Sequence, residues 1–566
     1  MPLLLNSVII LFFILTATVT ILIPHLTSWA FVNCSYYMML VLVAAWALSL
    51  WRLWPGKERA LAFIKTHRHG ILFSIIFASF IFISVPCTFR ILADETNTLS
   101  VAKSLVFNKR AENVTEGRWY YNMFWPSNSI IDKRPLLFPF LVSLLDTFLG
   151  YRPENAFLLN YLALALCLFQ LYLFIRSSLS ELLAFTSIIL VMSQPFMSLT
   201  ATTSSLEILN LAFILSSFLS LKAFIDHPDR KYFSMLCLNL LMLSNVRYES
   251  FIFLAVIMGC LAVLGYLRFE FFKSGACALM LFLCLPLIWQ RVIFSRIPDF
   301  DMPNGLWVNA FSFKNAGNNL LQFLKYALNI DGHLGFAGIV NVLGMTALCY
   351  GAFRLLLNIW SVPRNNRTLL ACCSASLLAF FITILCYNQA RMIDHPLNGR
   401  LYMPVLVTLS LFPVFVLNDL FKNNAAAFRL MMVGAMSLFI FYNPVAEEGR
   451  VENQLVALRD FHCIQRFLKA NAEGNPLLIY CRPGEFVIYN YGAISFSAAN
   501  QQKDAILNQY QNRLFSKIYV VQRILYENKM KSSQDRLDPS YHLQTISEAQ
   551  TSSSYLLRIS EVVLPK

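Results

Sequence analysis

Acidic and basic residues flank one long polar stretch near the start of the chain, residues 89–140. Asp94 and Glu95 stand near its beginning, and Lys133 and Arg134 stand near its end. A carboxylate at a membrane boundary can have its pKa raised by loss of water and can then take a proton from a hydroxyl group. Cations can stabilise a phosphate whose negative charge grows as it leaves. The stretch is therefore a candidate reaction centre, whereas helix-dipole compensation and interfacial snorkelling explain the same charges without chemistry.

An aromatic cluster lies between these charges and contains Trp119, Tyr120, Tyr121, Phe124 and Trp125. Aromatic residues that flank apolar segments commonly anchor at the level of the lipid headgroups. The same rings can form a wall against a donor or an acceptor. Trp119 and Tyr120 are therefore candidates for substrate contacts.

A second set of charged and aromatic residues lies far along the chain, next to apolar runs. It comprises Glu207, Arg247, Tyr248, Glu249, Arg400 and Tyr402, of which Glu207, Tyr248, Glu249 and Tyr402 are candidates for substrate contacts. Arg247 and Glu249 interrupt two apolar runs with almost no loop between them, and burial of such a pair is expensive, so a ligand role stands beside a structural ion pair. Arg400 precedes another apolar run, where an arginine needs an anionic partner. No metal-ligand spacing is present, and a divalent metal is left open.

The composition excludes a soluble protein. The chain has 566 residues, of which 57% are hydrophobic and only 13% are charged, and a soluble domain this apolar would have too little polar surface to show to water. The formal charge of +14 is explained by basic cytoplasmic loops. No basic patch with base-stacking aromatics lies outside the apolar runs, so no nucleic-acid partner is expected.

Repeated apolar runs of about 20 residues predict a polytopic α-helical membrane protein with about thirteen transmembrane helices. The predicted spans are 3–23, 36–54, 71–88, 156–175, 182–199, 206–225, 232–246, 250–267, 275–293, 334–353, 368–386, 401–420 and 428–442. The stretch 136–149 is short and either spans the membrane, lies in the interface or re-enters. Basic residues concentrate in the loops of one side, which is therefore cytoplasmic. The loop 89–135 and the C-terminal tail then lie outside.

The composition changes near residue 443, and the tail predicts a small external α/β C-terminal domain. A helix is predicted over 447–470, and strands are predicted over 476–480, 486–491, 517–524 and 555–565. A tail of about 120 residues is long enough for a core of its own. Cys463 and Cys481 lie in this tail and either pair, if it is exported, or remain free thiols. The predicted parts are an N-terminal hairpin with a cytoplasmic loop (1–70), a transmembrane catalytic domain (71–442) and the external domain (443–566).

Four motifs together resemble the GT-C superfamily. They are Asp-Glu opening the first external loop, KRPLLFPFLVSLLDTFLG from residue 133, Arg-Tyr-Glu at 247–249 and GRLYMPVLVTLSL from residue 399. The resemblance is to the branch of protein O-mannosyltransferases and lipid A aminoarabinose transferases, which use polyprenyl-phosphate sugars. It implies an inverting glycosyltransferase and covers most of residues 71–442.

The resemblance also implies roles for single residues. Asp94 maps onto the catalytic base, with Glu95 as its usual neighbour, and Lys133 or Arg134 maps onto the cation beside the donor phosphate. Arg400 maps onto an arginine that precedes a late span and contacts the phosphate. Glu207 maps weakly onto an acid that begins a middle span. Together with Arg247, these cations would hold the phosphate. The sequence departs from the family pattern where Arg134 replaces a common second proline.

The acceptor is expected to be a hydroxyl of a lipid, glycan or protein, and the protein is expected in a bacterial inner membrane among membrane lipids. No stretch is long enough for the lumenal sugar-binding domain of eukaryotic protein mannosyltransferases. Two alternatives stay open. One is a polysaccharide polymerase or ligase with a diphosphate-linked donor, in which Asp94 would be dispensable. The other is a transporter, although the inverted repeats expected of one are not evident.

Overall fold

The computed structural model describes most of the chain in two compact units. The described residues are 2–121, 123–268, 271, 280–296, 311–330, 336–358, 362–391, 393, 399–421, 456–471, 473–526 and 535–564. The first unit, here the helical unit, comprises residues 1–88, 133–138 and 157–448. The second, here the mixed unit, comprises residues 89–132, 139–156 and 449–566.

Long apolar helices build the helical unit. The helices up to residue 176 are Pro2–Leu22, Pro24–Arg52, Lys57–Ser84, Leu92–Phe107, Leu137–Leu149 and Asn155–Arg176, of which Leu92–Phe107 and all of Leu137–Leu149 after residue 138 belong to the mixed unit. The later helices of the helical unit are Glu181–Met192, Pro195–Ala201, Glu207–Asp226, Arg230–Val246, Phe251–Val263, Leu285–Arg296, Phe313–Ala327, Phe336–Asn358, Arg364–Cys386 and Met403–Phe421. Their apolar composition matches that of membrane-spanning helices.

The predicted polytopic helical architecture is confirmed, but the count of about thirteen spans is not. Among the described residues, seven helices are long and apolar enough to cross a membrane, or eight if one bent pair is a single span. The stretch predicted at 136–149 forms the short apolar helix Leu137–Leu149. The span predicted over 428–442 lies outside the described residues.

The span predicted over 182–199 is a bent pair of helices. Glu181–Met192 and Pro195–Ala201 meet at an angle of 77°, and Pro195 occupies the first turn of the second helix, where its missing N–H does no harm. Gln194 at the break donates from Nε2 to Oδ1 of Asn341 (2.7 Å) and to Oγ of Ser410 (2.8 Å). These bonds between buried side chains hold the break.

One seven-stranded sheet organises the mixed unit. Its strands are β1 (Asn113–Tyr120), β2 (Met123–Ile130), β3 (Leu477–Ile479), β4 (Gly492–Ile494), β5 (Ile518–Leu525), β6 (Leu543–Ala549) and β7 (Tyr555–Val562). Their order is β2-β1-β4-β3-β5-β7-β6. Strand β3 is parallel to β4 and β5, and the other pairs are antiparallel. The helices of the tail are Val456–Asn471, Gly484–Val487, Phe496–Gln501 and Lys503–Gln511.

The hairpin β1–β2 comes from the first loop, yet it completes the sheet of the C-terminal tail. Gly117 of β1 pairs with Ala493 of β4. Gly117 has no room for a side chain, because a Cβ there would overlap the ring of Phe124 on β2. No strands were predicted in this loop, since its alternation of apolar and polar residues is weak.

The α/β class of the tail is confirmed, with corrections to its elements. The predicted strand over 486–491 is wrong, because these residues continue the short helix Gly484–Val487 and a turn in which Asn490 has a φ of 65°. The strand lies next to it, at Gly492–Ile494, and β6 was not predicted. Cys463 and Cys481 are free thiols. The division of the chain at residues 70 and 442 stays a prediction.

Candidate functional site

A buried charge cluster lies in the helical unit and joins three distant segments of the chain. Nη1 of Arg247 donates to Oε1 of Glu207 at 2.8 Å, and its Nε and Nη2 donate to the two carboxylate oxygens of Glu249 at 3.4 Å each. Nη1 of Arg400 lies 3.3 Å from the same Oε1 of Glu207. Two glutamates and two arginines thus balance in charge. We call these four residues the charge cluster.

Glu207 is placed in the cluster by the polar segment that follows the bent pair of helices. Residues 200–205 are fully buried, and Nδ2 of Asn160 donates to the carbonyl oxygens of Thr203 (2.7 Å) and Ser205 (3.0 Å). Glu207 then begins the helix Glu207–Asp226, where a carboxylate is favoured by the positive end of the helix dipole. The segment can be buried despite its polarity because most of its hydroxyls bond carbonyl oxygens inside the protein, namely those of Thr200, Thr202, Thr203 and Ser205.

The other three members are positioned by neighbouring contacts. Oγ of Ser250 donates to Oδ1 of Asn210 at 2.7 Å, which fixes the short turn carrying Arg247 and Glu249 against the helix of Glu207. Next to Arg400, a Cβ at Gly399 would overlap the ring of Phe196 and the carbonyl oxygen of Ile393. The close approach at Gly399 therefore sets the path of the chain into Arg400.

Tyr402 and Tyr248, both predicted to contact substrate, differ in their surroundings. Tyr402 is fully buried, and its hydroxyl donates to the carbonyl oxygen of Ala390 at 3.1 Å, so in the structure it supports the turn of Arg400. The ring of Tyr248 lies 4.2 Å from the guanidinium carbon of Arg291. Sequence reasoning missed Arg291, because it stands inside an apolar run with nothing to distinguish it from an interfacial arginine.

Buried pairs of this kind are costly unless every charge is compensated. Side chains of the charge cluster expose between 2% and 15% of their surface, and Arg400 is the most exposed. A buried cationic group held by a carboxylate can exchange part of that contact for a phosphate oxygen, which guanidinium groups bind strongly. The cluster is chemically suited to bind an anionic group at Arg400.

Lys133 and Arg134 lie in the short segment of the helical unit that precedes Leu137–Leu149. Both are half-buried, and the carbonyl oxygen of Arg134 accepts a hydrogen bond of 2.7 Å from Nε2 of Gln290. This bond fixes the backbone that presents the two cations. Their predicted part in binding a phosphate stays a prediction.

Asp94 and Glu95 lie in the first turn of Leu92–Phe107, in the mixed unit. Glu95 is buried, and its Oε2 accepts from the backbone N–H groups of Arg90 (2.8 Å) and Ile91 (3.0 Å). This arrangement resembles a capping box, in which an acid of the first turn reaches back to the start of its helix. Glu95 thereby fixes the turn, whereas Asp94 is half-buried.

The helix of Asp94 is bound to the tail through a buried lysine that sequence reasoning missed. Nζ of Lys103 donates to the carbonyl oxygen of Val487 at 2.6 Å and lies 4.2 Å from the centroid of the Phe124 ring. Burial lowers the pKa of Lys103 to about 7. The contact holds Leu92–Phe107, the hairpin and the tail together within the mixed unit.

The predicted substrate contacts Trp119 and Tyr120 lie at the end of β1. Nε1 of Trp119 donates to the carbonyl oxygen of Asn490 at 2.7 Å, and its ring packs edge-on against Phe124. The hydroxyl of Tyr120 accepts from Nε2 of Gln509 at 3.4 Å. Both rings are half-buried and lie in the mixed unit.

The structure therefore joins Glu207, Arg247, Glu249 and Arg400, while Asp94 and Glu95 lie in the other unit. The predicted convergence of Asp94 with these arginines stays a prediction. Across the residues that the structure describes, no group of three or more His, Cys, Asp or Glu side chains is arranged to hold a metal ion.

The motifs of the sequence predicted a GT-C fold, with membrane helices and a small α/β domain, and the helical unit and the mixed unit have these two classes of structure. A solved structure with this architecture is ArnT from Cupriavidus metallidurans bound to undecaprenyl phosphate. It matches with a TM-score of 0.52 at 12% sequence identity, over 88% of this chain and 98% of the other. The chain thus has the GT-C fold.

Two further solved structures match less well. ArnT from Cupriavidus metallidurans in the apo state gives a TM-score of 0.48 at 12% identity, over 87% of this chain and 97% of the other. The Archaeoglobus fulgidus oligosaccharyltransferase gives 0.45 at 12% identity, over 81% of this chain and 69% of the other. These values add nothing to the fold assignment. No model of a known family and no curated protein matches the sequence.

Proposed function

We propose that the protein is an inverting glycosyltransferase that moves a sugar from a polyprenyl-phosphate donor to a hydroxyl group. The observation that carries the proposal is the buried charge cluster within a GT-C fold, in which two arginines meet at one oxygen of Glu207. The solved ArnT structure contains undecaprenyl phosphate, and a donor with the same lipid phosphate suits the cations of this chain.

In the proposed reaction, the carboxylate of Asp94 takes the proton of the acceptor hydroxyl. The acceptor oxygen then forms a bond to the anomeric carbon of the sugar, on the face opposite the phosphate. The bond between the anomeric carbon and the phosphate oxygen breaks, and its electron pair remains on the polyprenyl phosphate. Deprotonation by a positioned base contributes about a hundred-fold to ten-thousand-fold to the rate of such a step.

The leaving phosphate gains negative charge, which Lys133, Arg134 and Arg400 would stabilise. Arg247 was predicted to bind the phosphate directly, but its three guanidinium nitrogens already bond Glu207 and Glu249. We therefore give Arg247 a positioning role, in which it holds Glu207 and, through Glu207, Arg400.

The remaining predicted residues have separate roles in this proposal. Glu207 and Tyr248 border the sugar and orient it, because Oε2 of Glu207 has no partner among the described residues and a carboxylate oxygen accepts from sugar hydroxyls. Glu249, which was also predicted to contact substrate, holds Arg247 instead, because both of its oxygens accept from Arg247. Trp119 and Tyr120 border the acceptor, which is a hydroxyl of a lipid, glycan or protein. Glu95 positions Asp94 by fixing the first turn of its helix.

The reaction is proposed for the outer face of a bacterial inner membrane, with residues 71–442 as the catalytic domain and 443–566 outside. The basic loops of the other side support this orientation. A cysteine introduced at exposed Asp504, in a variant whose native cysteines are replaced by serine, would test it. In intact spheroplasts, a membrane-impermeant maleimide should label this cysteine, and labelling only after lysis would place the tail inside.

The proposal is tested by supplying the purified protein with undecaprenyl-phosphate sugars and measuring release of undecaprenyl phosphate by mass spectrometry. The lipid that co-purifies with the protein identifies which sugar and acceptor to supply. Release that needs both donor and acceptor supports the transferase. A co-purified diphosphate-linked glycan, with no turnover of monophosphate donors, would favour the polymerase or ligase instead. Uptake of labelled sugar into proteoliposomes without transfer would favour a transporter.

A further inference from the structure

The mixed unit holds a buried arginine whose charge is incompletely matched. Arg118 on β1 exposes 6% of its surface, and its Nη2 donates to Oε1 of Gln502. Among the residues that the structure describes, neither Nε nor Nη1 of Arg118 has a hydrogen-bond partner. Nε carries one N–H and Nη1 carries two, so three of the five guanidinium donors lack an acceptor.

Such a group is expensive to bury. Removal of a charge from water destabilises the fold, and unsatisfied donors add to that cost. The acceptor on Nη2 is a neutral amide, which cannot neutralise the charge. Buried arginines are normally matched by a carboxylate or a phosphate. Arg523 in the same unit shows the ordinary arrangement, because its Nε lies 2.9 Å from Oδ2 of buried Asp535.

A second unsatisfied group lies near Arg118, next to the ring of Tyr120. The guanidinium carbon of Arg118 is 5.8 Å from the centroid of Tyr120, and the hydroxyl of Tyr120 accepts from Nε2 of Gln509. Within the described chain, the buried Oε1 of Gln509 has no partner. If the amide were turned over, its nitrogen would be left unpartnered instead, so one polar atom is open in either orientation.

We propose that Arg118 forms an anion-binding site for a terminal phosphate group, with Gln502 as its displaceable cover. A phosphate offers three oxygens to the three open donors, whereas a carboxylate offers two. Gln502 is exposed, so its side chain can swing aside and let the phosphate reach the guanidinium. Gln509 and Tyr120 then face the group that carries the phosphate and suit a hydroxyl on it. This site does not rest on the proposed transferase.

The site is tested on the full-length protein in detergent, with inorganic phosphate as the probe at constant ionic strength. The melting temperature of the unchanged protein should rise with phosphate concentration, and binding should weaken by about tenfold or more in Arg118→Met. Arg459→Met is the matched control, because Arg459 is exposed in the same unit. An equal response of all three proteins to phosphate would overturn the proposal.

A second pair of variants keeps Arg118 in place. Gln502→Glu supplies an internal carboxylate, so the melting temperature without phosphate should rise and the response to phosphate should disappear. Gln502→Ala only removes the cover and should keep the response. If Gln502→Glu responds to phosphate as strongly as Gln502→Ala, no anion site exists at Arg118.

The source of the phosphate is distinguished by reconstitution into nanodiscs of phosphatidylcholine with or without phosphatidic acid. An Arg118-dependent stabilisation by phosphatidic acid would identify a lipid headgroup as the ligand. A response to inorganic phosphate that phosphatidic acid does not reproduce would identify a phosphate carried by a soluble molecule. A response to neither source would overturn the site.

Discussion

Asp94 and Glu95 are adjacent acids with different environments. Oε2 of Glu95 accepts hydrogen bonds from two backbone N–H groups, whereas the side chain of Asp94 is half-buried on the same turn. We expect Asp94→Asn to lower the transfer rate by about a hundred-fold or more, because an amide cannot take the proton of the acceptor. The measurement is single-turnover release of undecaprenyl phosphate from the donor.

The control for Asp94→Asn is Asp504→Asn. Asp504 is likewise an acid in the first turn of a helix of the mixed unit, Lys503–Gln511, but it is exposed. If the acids act only on the helix dipole, both variants lose about 0.3–1 kcal/mol of stability and neither loses turnover. Normal turnover in folded Asp94→Asn would refute its role as the base.

Glu207 is the member of the charge cluster whose removal should cost most. Both Arg247 and Arg400 meet its Oε1, and its side chain is only 3% exposed. Glu207→Gln leaves two buried arginines against one carboxylate, and breaking such a buried pair costs about 3–5 kcal/mol. Chemical denaturation in detergent measures the loss, and transfer activity should fall with it.

Glu181→Gln is a suitable comparison for Glu207→Gln. Glu181 also begins a helix beside an arginine, with 3.3 Å between its Oε1 and Nη1 of Arg176, but its side chain is 37% exposed. An exposed pair of this kind contributes about 0–1 kcal/mol. Similar losses of unfolding free energy in the two variants would show that burial of the charge cluster does not increase its contribution to stability.

At the scale of elements, the short helix Gly484–Val487 carries a carboxyl group that should make the mixed unit sensitive to pH. Burial raises the pKa of Glu485 from an ordinary 4.5 to about 8, although Nε of Arg482 lies 3.3 Å away and opposes the rise. Among the described residues, neither oxygen of Glu485 has a hydrogen-bond partner, and nearby Asp460 raises its pKa further. The protonated form is therefore the one that the fold accommodates.

Between pH 4.5 and about 8, the unfolded chain loses this proton while the folded chain keeps it. The contribution of Glu485 is fully present below pH 4.5 and is lost as the pH rises towards 8. Glu485→Gln imitates the protonated group, so its melting temperature should fall less over this interval than that of the unchanged protein. Parallel pH profiles of the two proteins would contradict the assignment.

At the scale of the whole molecule, composition predicted the membrane class, since lipid admits only helices that satisfy their own backbone or closed barrels. The charged residues that interrupt apolar runs were also found from the sequence, because burial makes such residues expensive. Their partners were not, since Glu207 and Arg400 are separated by nearly two hundred positions. Lys103, Arg118 and Arg291 were missed because surface and interfacial cations have the same sequence signal.

The sheet of the mixed unit joins two parts of the chain that were predicted to form separate regions of the protein. Strands β1 and β2 come from the first loop, and the other five come from the tail. Strand pairing between distant segments leaves little local signal, because each strand is short and its partner is set by tertiary structure. The helix of Asp94 depends on this joint sheet, through the bond from Lys103 to Val487.

The dependence predicts different results for deletion and for cleavage of the tail. Deletion of residues 449–566 should leave β1 without β4, so buried Lys103 and Arg118 should become trypsin sites and transfer should be lost. A protease site inserted between residues 448 and 449 cuts the same bond but leaves both pieces present. The sheet should then hold the cut chain together, with the trypsin sites protected and transfer retained. Loss of protection after cleavage alone would show that the tail is held by its covalent link rather than by the sheet.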